Sequence, residues 1–316
     1  MRIFGIALIT LIAIQFTSCK KDDGTDVITV PPRMLSEVAL ENDAEIREYL
    51  QSHFYNYEEF ANPPADFNYK IVLDTIAGSN ADKTPLMDQV ESVTLSVSSD
   101  VFGLDDDEDV DHTLYYLSAR DGLGGSPTPA DSTFLRYEGS LLDGTLFDGT
   151  TTYKWQYLPF FLRGYAHAVS KFNVGDGIID NGDGTTSITN SGIGLMFLPS
   201  GLAYFNGFVG GIPQYSVLIF KVDTGLYVPE TDYDNDGIPS ILEDLDGDGD
   251  VSNDNTDASR EIEIGSPAFP NHIDTDDDQD GTQTRDEISD SEGNIIIPYP
   301  DTDGDGTPDY LDRDTS

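Results

Sequence analysis

The chain has 316 residues, 38% of them apolar and 10% aromatic, enough to fill at least one packed core and to allow two domains. Its 16 basic residues against 59 acidic ones give a formal net charge of −43. That balance excludes nucleic acid as a partner and argues against docking on anionic lipid through charge, leaving cations as the natural counterparts. The charge is uneven: 28 of the acidic residues but three of the basic ones lie from Glu230 onward.

The chain opens on "MRIFGIALITLIAIQFTSC", with one early arginine, an apolar run from Ile3 to Phe16 too short to span a membrane comfortably, and small polar residues before Cys19. Residues 1–18 read as an export signal cut before the one cysteine of the chain, which has no internal disulfide partner. "FTSC" resembles the lipobox of bacterial lipoproteins, with Phe16 where leucine is usual, and the resemblance implies lipidation of Cys19. An ordinary secretory signal with an incidental cysteine is the alternative. The "KKDDGTD" that follows is similar to the tracts after the lipidated Cys in surface lipoproteins of the Bacteroidetes type. Together these resemblances imply an outer-membrane lipoprotein of a bacterial envelope, periplasmic or surface-exposed, held to the membrane by its lipid. Residues 19–41, polar and carrying Pro31 and Pro32, read as a tether.

Asn42 with Glu45 offers an N-cap and its reciprocal partner, opening a helix through Ile46, Leu50 and Phe54. Phe67, Tyr69, Ile71 and Leu73 alternate with polar neighbours, as do Val93, Leu95 and Val97, so two strands are expected there. Residues 42–110 thus read as an N-terminal helix with extra strands. "LDDDEDVD" is a solvated, self-repelling loop. Strands return at "TLYYLSAR" and "STFLRYEGSLL". "FFLRGYAHAVSKFNVG" follows as a helix, with Leu162, Tyr165, Val169 and Phe172 on one face and Gly175 as its stop. "DGIIDNGDGTTSITNSG" has the turn chemistry of an inserted hairpin. The runs "GLMFLP" and "SVLIFKVDTGL" are strands, and a boundary falls near Pro229. His53, His112, His167 and His272 lack ligand spacing and read as solvated or partly packed.

From periodicity alone, residues 111–228 are an antiparallel sheet with one short helix, an α+β domain. "FLRYEGSLLDGTLFDGT", "FLRGYAHAV", "GLMFLPSGLAYFN" and "GGIPQYSVLIFKV" resemble, in order, the motif series of the FKBP-type peptidyl-prolyl isomerases. The resemblance implies a twisted sheet wrapped around the helix and an aromatic pocket between them, formed by Tyr137, Phe147, Asp148, Phe161, Leu162, Tyr165, Tyr204, Ile212 and Phe220. Tyr165, Phe147 and Phe220 would wall in the proline ring. The Leu162 amide and the Tyr204 hydroxyl would donate to the peptide's carbonyls, and Asp148 would face the rotating amide or orient Tyr137. No cofactor is implied for catalysis. The sequence departs from the family at the pocket floor, where Tyr165 replaces the usual tryptophan, at the bulky Phe161, and at Phe205, where glycine is usual.

From Asp232 a DxDxDG pattern recurs four times: Asp232, Asp234, Asp236; Asp244, Asp246, Asp248; Asp276, Asp278, Asp280; and Asp301, Asp303, Asp305, each followed by glycine. Alternate carboxylates with a tight glycine turn wrap one calcium ion, and an acid at loop position twelve closes the site. Glu243, Glu287 and Asp312 hold that position in the first, third and fourth copies. The second copy has Asn255 there, so Asp254 or Asp257 would substitute. The tail, residues 229–316, looks like thrombospondin type 3 calcium repeats without their disulfides, which implies structural Ca2+.

The expectation is therefore an exported, lipid-anchored prolyl isomerase or foldase acting on proline-containing unfolded or exported polypeptides, with a calcium-ordered, loop-rich tail. The alternative keeps the fold as a catalytically weak peptide-binding or adhesion module of a calcium-stabilised surface lipoprotein.

Overall fold

Leucine, valine and isoleucine recur along one side of Leu35–Ser52, and the segment forms helix α1, burying Leu35, Val38, Ala39, Asn42, Ile46 and Leu50. The structure is a computed structural model that describes residues 31–315; the export signal, Cys19 and residues 20–30 of the expected tether lie outside that range, while residues 35–41, expected as tether, are the first two turns of α1 because Leu35, Val38 and Ala39 are buried. Helix α1 begins before Asn42, so the expected cap is corrected. Asn42 sits inside the helix, 3% exposed, where its Oδ1 accepts from the Ser200 N–H (2.8 Å) and hydroxyl (2.6 Å) and its Nδ2 donates to the Tyr215 carbonyl. Sequence marks it as a cap because a polar residue near a helix start suits one, yet here it joins the helix to a distant loop.

Two short strands, β1 (His53–Tyr55) and β2 (Leu73–Thr75), pair antiparallel around the single-turn helix α2 (Tyr57–Ala61). The strand expected from Phe67 is not formed: of that run, Leu73 alone lies in a strand. Tyr69 adopts a left-handed φ of +55°, and Phe60, Phe67 and Tyr69 pack their rings on one another at 5.0–6.1 Å. The alternation of aromatics there serves a local cluster, capped by Arg120 stacked 3.9 Å from the Tyr69 ring.

The main sheet has seven antiparallel strands. They are β3 (Glu91–Ser98), β4 (Asp109–Arg120), β5 (Ser132–Leu141), β6 (Leu146–Gly149), β7 (Lys154–Tyr157), β10 (Gly192–Leu198) and β11 (Leu218–Val228). Their order is β3-β4-β10-β11-β5-β6, with β7 also paired to β5. Strands β6 and β7 have four residues each, too few to show a period in sequence. The expected inserted hairpin is β8 (Gly177–Asp180) with β9 (Thr186–Thr189).

The central strands are covered on both faces. Met196, Leu198, Leu218, Phe220 and Val222 face helix α3 (Arg163–Val169), whereas Ile193, Leu195, Phe197, Val217 and Ile219 join a second core with Ile46 and Leu50 of α1. Burial on two sides explains why β10 and β11 read as unbroken apolar runs. Helix α3 ends at Val169, earlier than Gly175, because the N–H groups of Lys171 and Phe172 turn to carbonyls three residues back and tighten the last turn. Phe172 still reaches the core, and its ring lies where a Cβ on Gly194 would come within 2.5 Å. A side chain at 194 is therefore excluded by contact.

From Glu230 the tail runs through loops broken by two short helices, α4 (Ala258–Ile264) and α5 (Thr284–Glu287). It has a small apolar core of Ile238, Ile288 and Tyr310, with Ile295, Tyr299 and Leu311 around it.

Three histidines expected to be solvated or partly packed are instead buried: His112 (1% exposed), His167 (6%) and His272 (1%). Burial pushes each imidazole down to about 4, the charged form being penalised in an apolar site. The unfolded chain binds these protons near pH 6.5 and the folded chain does not. The stability they contribute is therefore full above pH 6.5 and is lost as pH falls from there towards 4. Nitrogen-15 imidazole titration should place the midpoints of His112 and His167 near pH 4; midpoints near 6.5 would mean that water reaches these rings.

Candidate peptide pocket and acidic loops

Strand order brings the aromatic motifs together. In the ladder between β5 and β11, Val222 lies opposite Tyr137 and Phe220 opposite Gly139, while Gly139 also faces Asp148 of β6. With no side chain at Gly139, the Phe147 ring turns inward over that position: a Cβ there would lie 2.7 Å from it. Helix α3 enters from the other side, preceded by Phe160, Phe161 and Leu162.

The result is a cavity of about 480 Å3 lined by Tyr137, Phe147, Asp148, Phe160, Phe161, Leu162, Tyr165, Tyr204, Val209, Gly210, Ile212 and Phe220. All nine residues singled out for the pocket from sequence line it. Its walls are edge-to-face aromatics. Tyr165 and Phe220 lie 5.1 Å apart at 71°, Phe147 and Phe220 5.6 Å at 85°, and Tyr137 and Tyr165 5.9 Å at 70°.

Tyr165, at the floor, is 3% exposed, and its hydroxyl donates to the buried Gln156 Oε1 at 3.0 Å. A tyrosine in place of tryptophan thus leaves no unsatisfied polar group, and burial holds its phenol well above the ordinary value. Gln156, Phe160 and Val209 were missed in sequence, since one glutamine in a four-residue strand carries no pattern.

At the rim, the Tyr137 hydroxyl donates to Asp148 Oδ2 at 2.5 Å, while Asp148 Oδ1 accepts from the Gly149 N–H. Burial first, and then the carboxylate, raise the Tyr137 phenol. Phe205 is not a pocket residue. It is 1% exposed, packed on Phe102 (4.6 Å) and Tyr215 (5.1 Å), and keeps the left-handed φ of +40° that glycine would favour. Its bulk therefore strengthens the core and leaves the cavity's shape alone.

A larger groove of about 650 Å3 across β6 shares Tyr137, Phe147 and Asp148. Its basic residues pair within it, Lys70 and Lys221 with Glu138 and Arg136 with Asp223.

In the tail, three of the four DxDxDG copies show the same turn: the glycine N–H donates to the first aspartate, Gly237 to Asp232, Gly249 to Asp244 and Gly306 to Asp301, at 2.9–3.1 Å. The four glycines have φ between +77° and +108°, which side-chain-bearing residues rarely adopt. Carboxylate oxygens gather within 4.8 Å of one another at Asp232, Asp234 and Asp236; at Asp244, Asp246 and Asp254; and at Asp276, Asp278 and Asp280. Two further groups add residues that the sequence did not mark: Asp277 joins Asp236 and Glu243 of the first copy, and Glu261 and Asp274 join Asp257.

Many of these oxygens are buried without a hydrogen-bond donor, including Asp232 Oδ1, Asp234 Oδ2, Asp236 Oδ2, Asp278 Oδ2 and both oxygens of Glu243 and of Glu287. Unpaired buried carboxylates are costly, and a hard divalent cation is the partner that an all-oxygen set fits. Asp254, not Asp257, joins the second copy. Asp248 turns Oδ2 to Arg163 of α3 at 2.9 Å. The fourth copy, Asp301, Asp303 and Asp305, is exposed.

No model of a known protein family matches the chain. It is 32% identical over 111 residues to the FKBP-type peptidyl-prolyl cis-trans isomerase FkpA of Escherichia coli K12, and the O6:H1 and O157:H7 strains give the same figures. That stretch is 35% of this chain and 36% of the relative, so the chain spans about a third of the length of the curated relatives it matches. Over this part it is similar to FKBP-type isomerases. Among solved structures, a Pseudomonas syringae peptidyl-prolyl cis-trans isomerase aligns over 36% of this chain and 74% of its own, with 22% identity and a TM-score of 0.30. FkpA from E. coli aligns over 61% and 62%, with 20% identity and a TM-score of 0.33. No helix among the described residues is long and apolar enough to cross a membrane.

Proposed function

We propose that the chain is a peptidyl-prolyl cis-trans isomerase or foldase of the bacterial envelope, anchored through lipidated Cys19, acting on proline-containing segments of unfolded or exported polypeptides. The convergence of nine separated residues on one apolar cavity carries this reading.

Rotation about an X-Pro bond is slow because resonance holds the amide planar. Lowering that barrier requires no nucleophile, only a site that fits the twisted amide better than either planar form. Tyr165, Phe147 and Phe220 would enclose the proline ring. In such a water-poor site the twisted amide, which has lost its charge separation, gives up less hydration than the planar one. The Leu162 N–H and Tyr204 hydroxyl would hold the flanking carbonyls, and Asp148 with Tyr137 would border the rotating bond.

We further propose that the acidic loops are structural calcium sites. Their charge-assisted ligands would come from the Asp and Glu sets above, and the cations would neutralise carboxylates that otherwise repel one another.

The test of the isomerase reading is a protease-coupled prolyl isomerisation assay on the chain that follows Cys19. A rate no higher than the spontaneous one would reject the enzyme and leave a peptide-binding module.

A further inference from the structure

We infer that the divalent cation of the first acidic loop, wrapped by Asp232, Asp234 and Asp236 and closed by Glu243, takes a further ligand from the third loop, Asp277, and so ties the two loops together. This rests on the calcium reading of the loops. Asp277 occupies no ligand position of its own repeat: it lies between Asp276 and Asp278, whose side chains face the third loop. Instead, an oxygen of Asp277 comes within 4.8 Å of oxygens of Asp236 and Glu243, which belong to the first.

Charge and burial give this group its meaning. Asp236, Glu243 and Asp277 are 2%, 1% and 1% exposed. Of their six carboxylate oxygens, Asp236 Oδ1 accepts from the Ile238 N–H at 2.7 Å, and the other five have no hydrogen-bond donor. The nearby Arg285 does not serve as counter-ion: it donates to the Gly293 carbonyl and makes no ion pair among the described residues. Three carboxylates sealed from water, unpartnered and converging stay ionised together only around a cation. Hard oxygen ligands and the absence of sulfur or imidazole select calcium or a similar dication.

The position of this joint couples it to the peptide pocket. Tyr233 lies within the first loop, and His272 just precedes the third. Both close on the segment that walls the cavity: Tyr157 stacks on Tyr233 at 4.1 Å and hydrogen-bonds His272 Nδ1 at 2.8 Å, and Phe160 packs edge-on to Tyr233 at 5.0 Å. A cation tying the two loops would hold both ends of this clasp on Tyr157 and Phe160.

Calcium binding to the full chain after Cys19, followed by isothermal titration with CaCl2, tests this with Asp277→Asn, Glu243→Gln and the double variant. The expected result is loss of about one calcium ion per chain in each variant, the double losing no more than the singles, since all three lack the same site. The metal-free Asp277→Asn chain should also melt no lower than the wild type, because a repelling charge has gone. Unchanged stoichiometry and affinity in Asp277→Asn, or additive losses in the double variant, would overturn the shared site. A lower melting point of the metal-free variant would make Asp277 a structural acceptor instead. No calcium binding by the wild type would reject the underlying reading of the loops.

Discussion

Asp148→Ala is expected to lower kcat/KM for prolyl isomerisation about ten- to a hundredfold while leaving the fold intact. The bond it removes joins a carboxylate to the Tyr137 phenol at 2.5 Å, and a hydrogen bond of that kind is worth about 1.5–3 kcal/mol, or roughly one to two powers of ten in rate. Asp148 lies exposed on the short strand β6, so its loss creates no cavity. Tyr137→Phe removes the same bond but keeps the carboxylate at the rim and should cost less. If the two variants and their combination all lose the same amount, Asp148 acts through Tyr137 alone. A kcat/KM equal to the wild type in Asp148→Ala would remove it from the site.

Chelation of calcium is expected to unfold the tail while the seven-stranded sheet stays folded. Without cations, the five donor-less oxygens of Asp236, Glu243 and Asp277 stay buried and face one another, and the tail's own apolar core is small. A bound ion stabilises the folded tail by about 2.7 kcal/mol at a free concentration of one hundred times its Kd, and several such sites together exceed what three buried side chains supply. Calorimetry should show a tail transition that rises with calcium, and protease digestion in a chelator should cut between 230 and 315. A tail equally protected with and without calcium would mean that packing alone holds it.

The elements legible in sequence were those whose signal is local. The ordered motifs around Tyr137, Phe147, Tyr165, Tyr204 and Phe220 found the pocket because each residue sits at a fixed offset within its own short segment. The register of the aspartates found the acidic loops for the same reason. What stayed hidden depends on pairing over distance. Asn42 reads as a cap until Ser200 and Tyr215 are seen beside it, and Asp277 falls between ligand positions and has meaning only next to Glu243. The rings of Phe67 and Tyr69 alternate as in a strand but pack on one another and on Phe60. The histidines carry no sequence mark of burial, because it is Gly201 packed on His112, and Gly249 on His167, that closes over them.

The helix α1 that backs the sheet has a practical consequence for solubility. A fragment cut to residues 111–228 would keep the whole pocket yet strip the cover from Leu195, Phe197, Val217 and Ile219, opening an apolar face across the middle strands. Contiguous exposed surface of that kind drives self-association. The smallest well-behaved unit that carries the pocket therefore starts before Leu35, and aggregation of a shorter piece would reflect its missing cover, whatever the competence of the pocket.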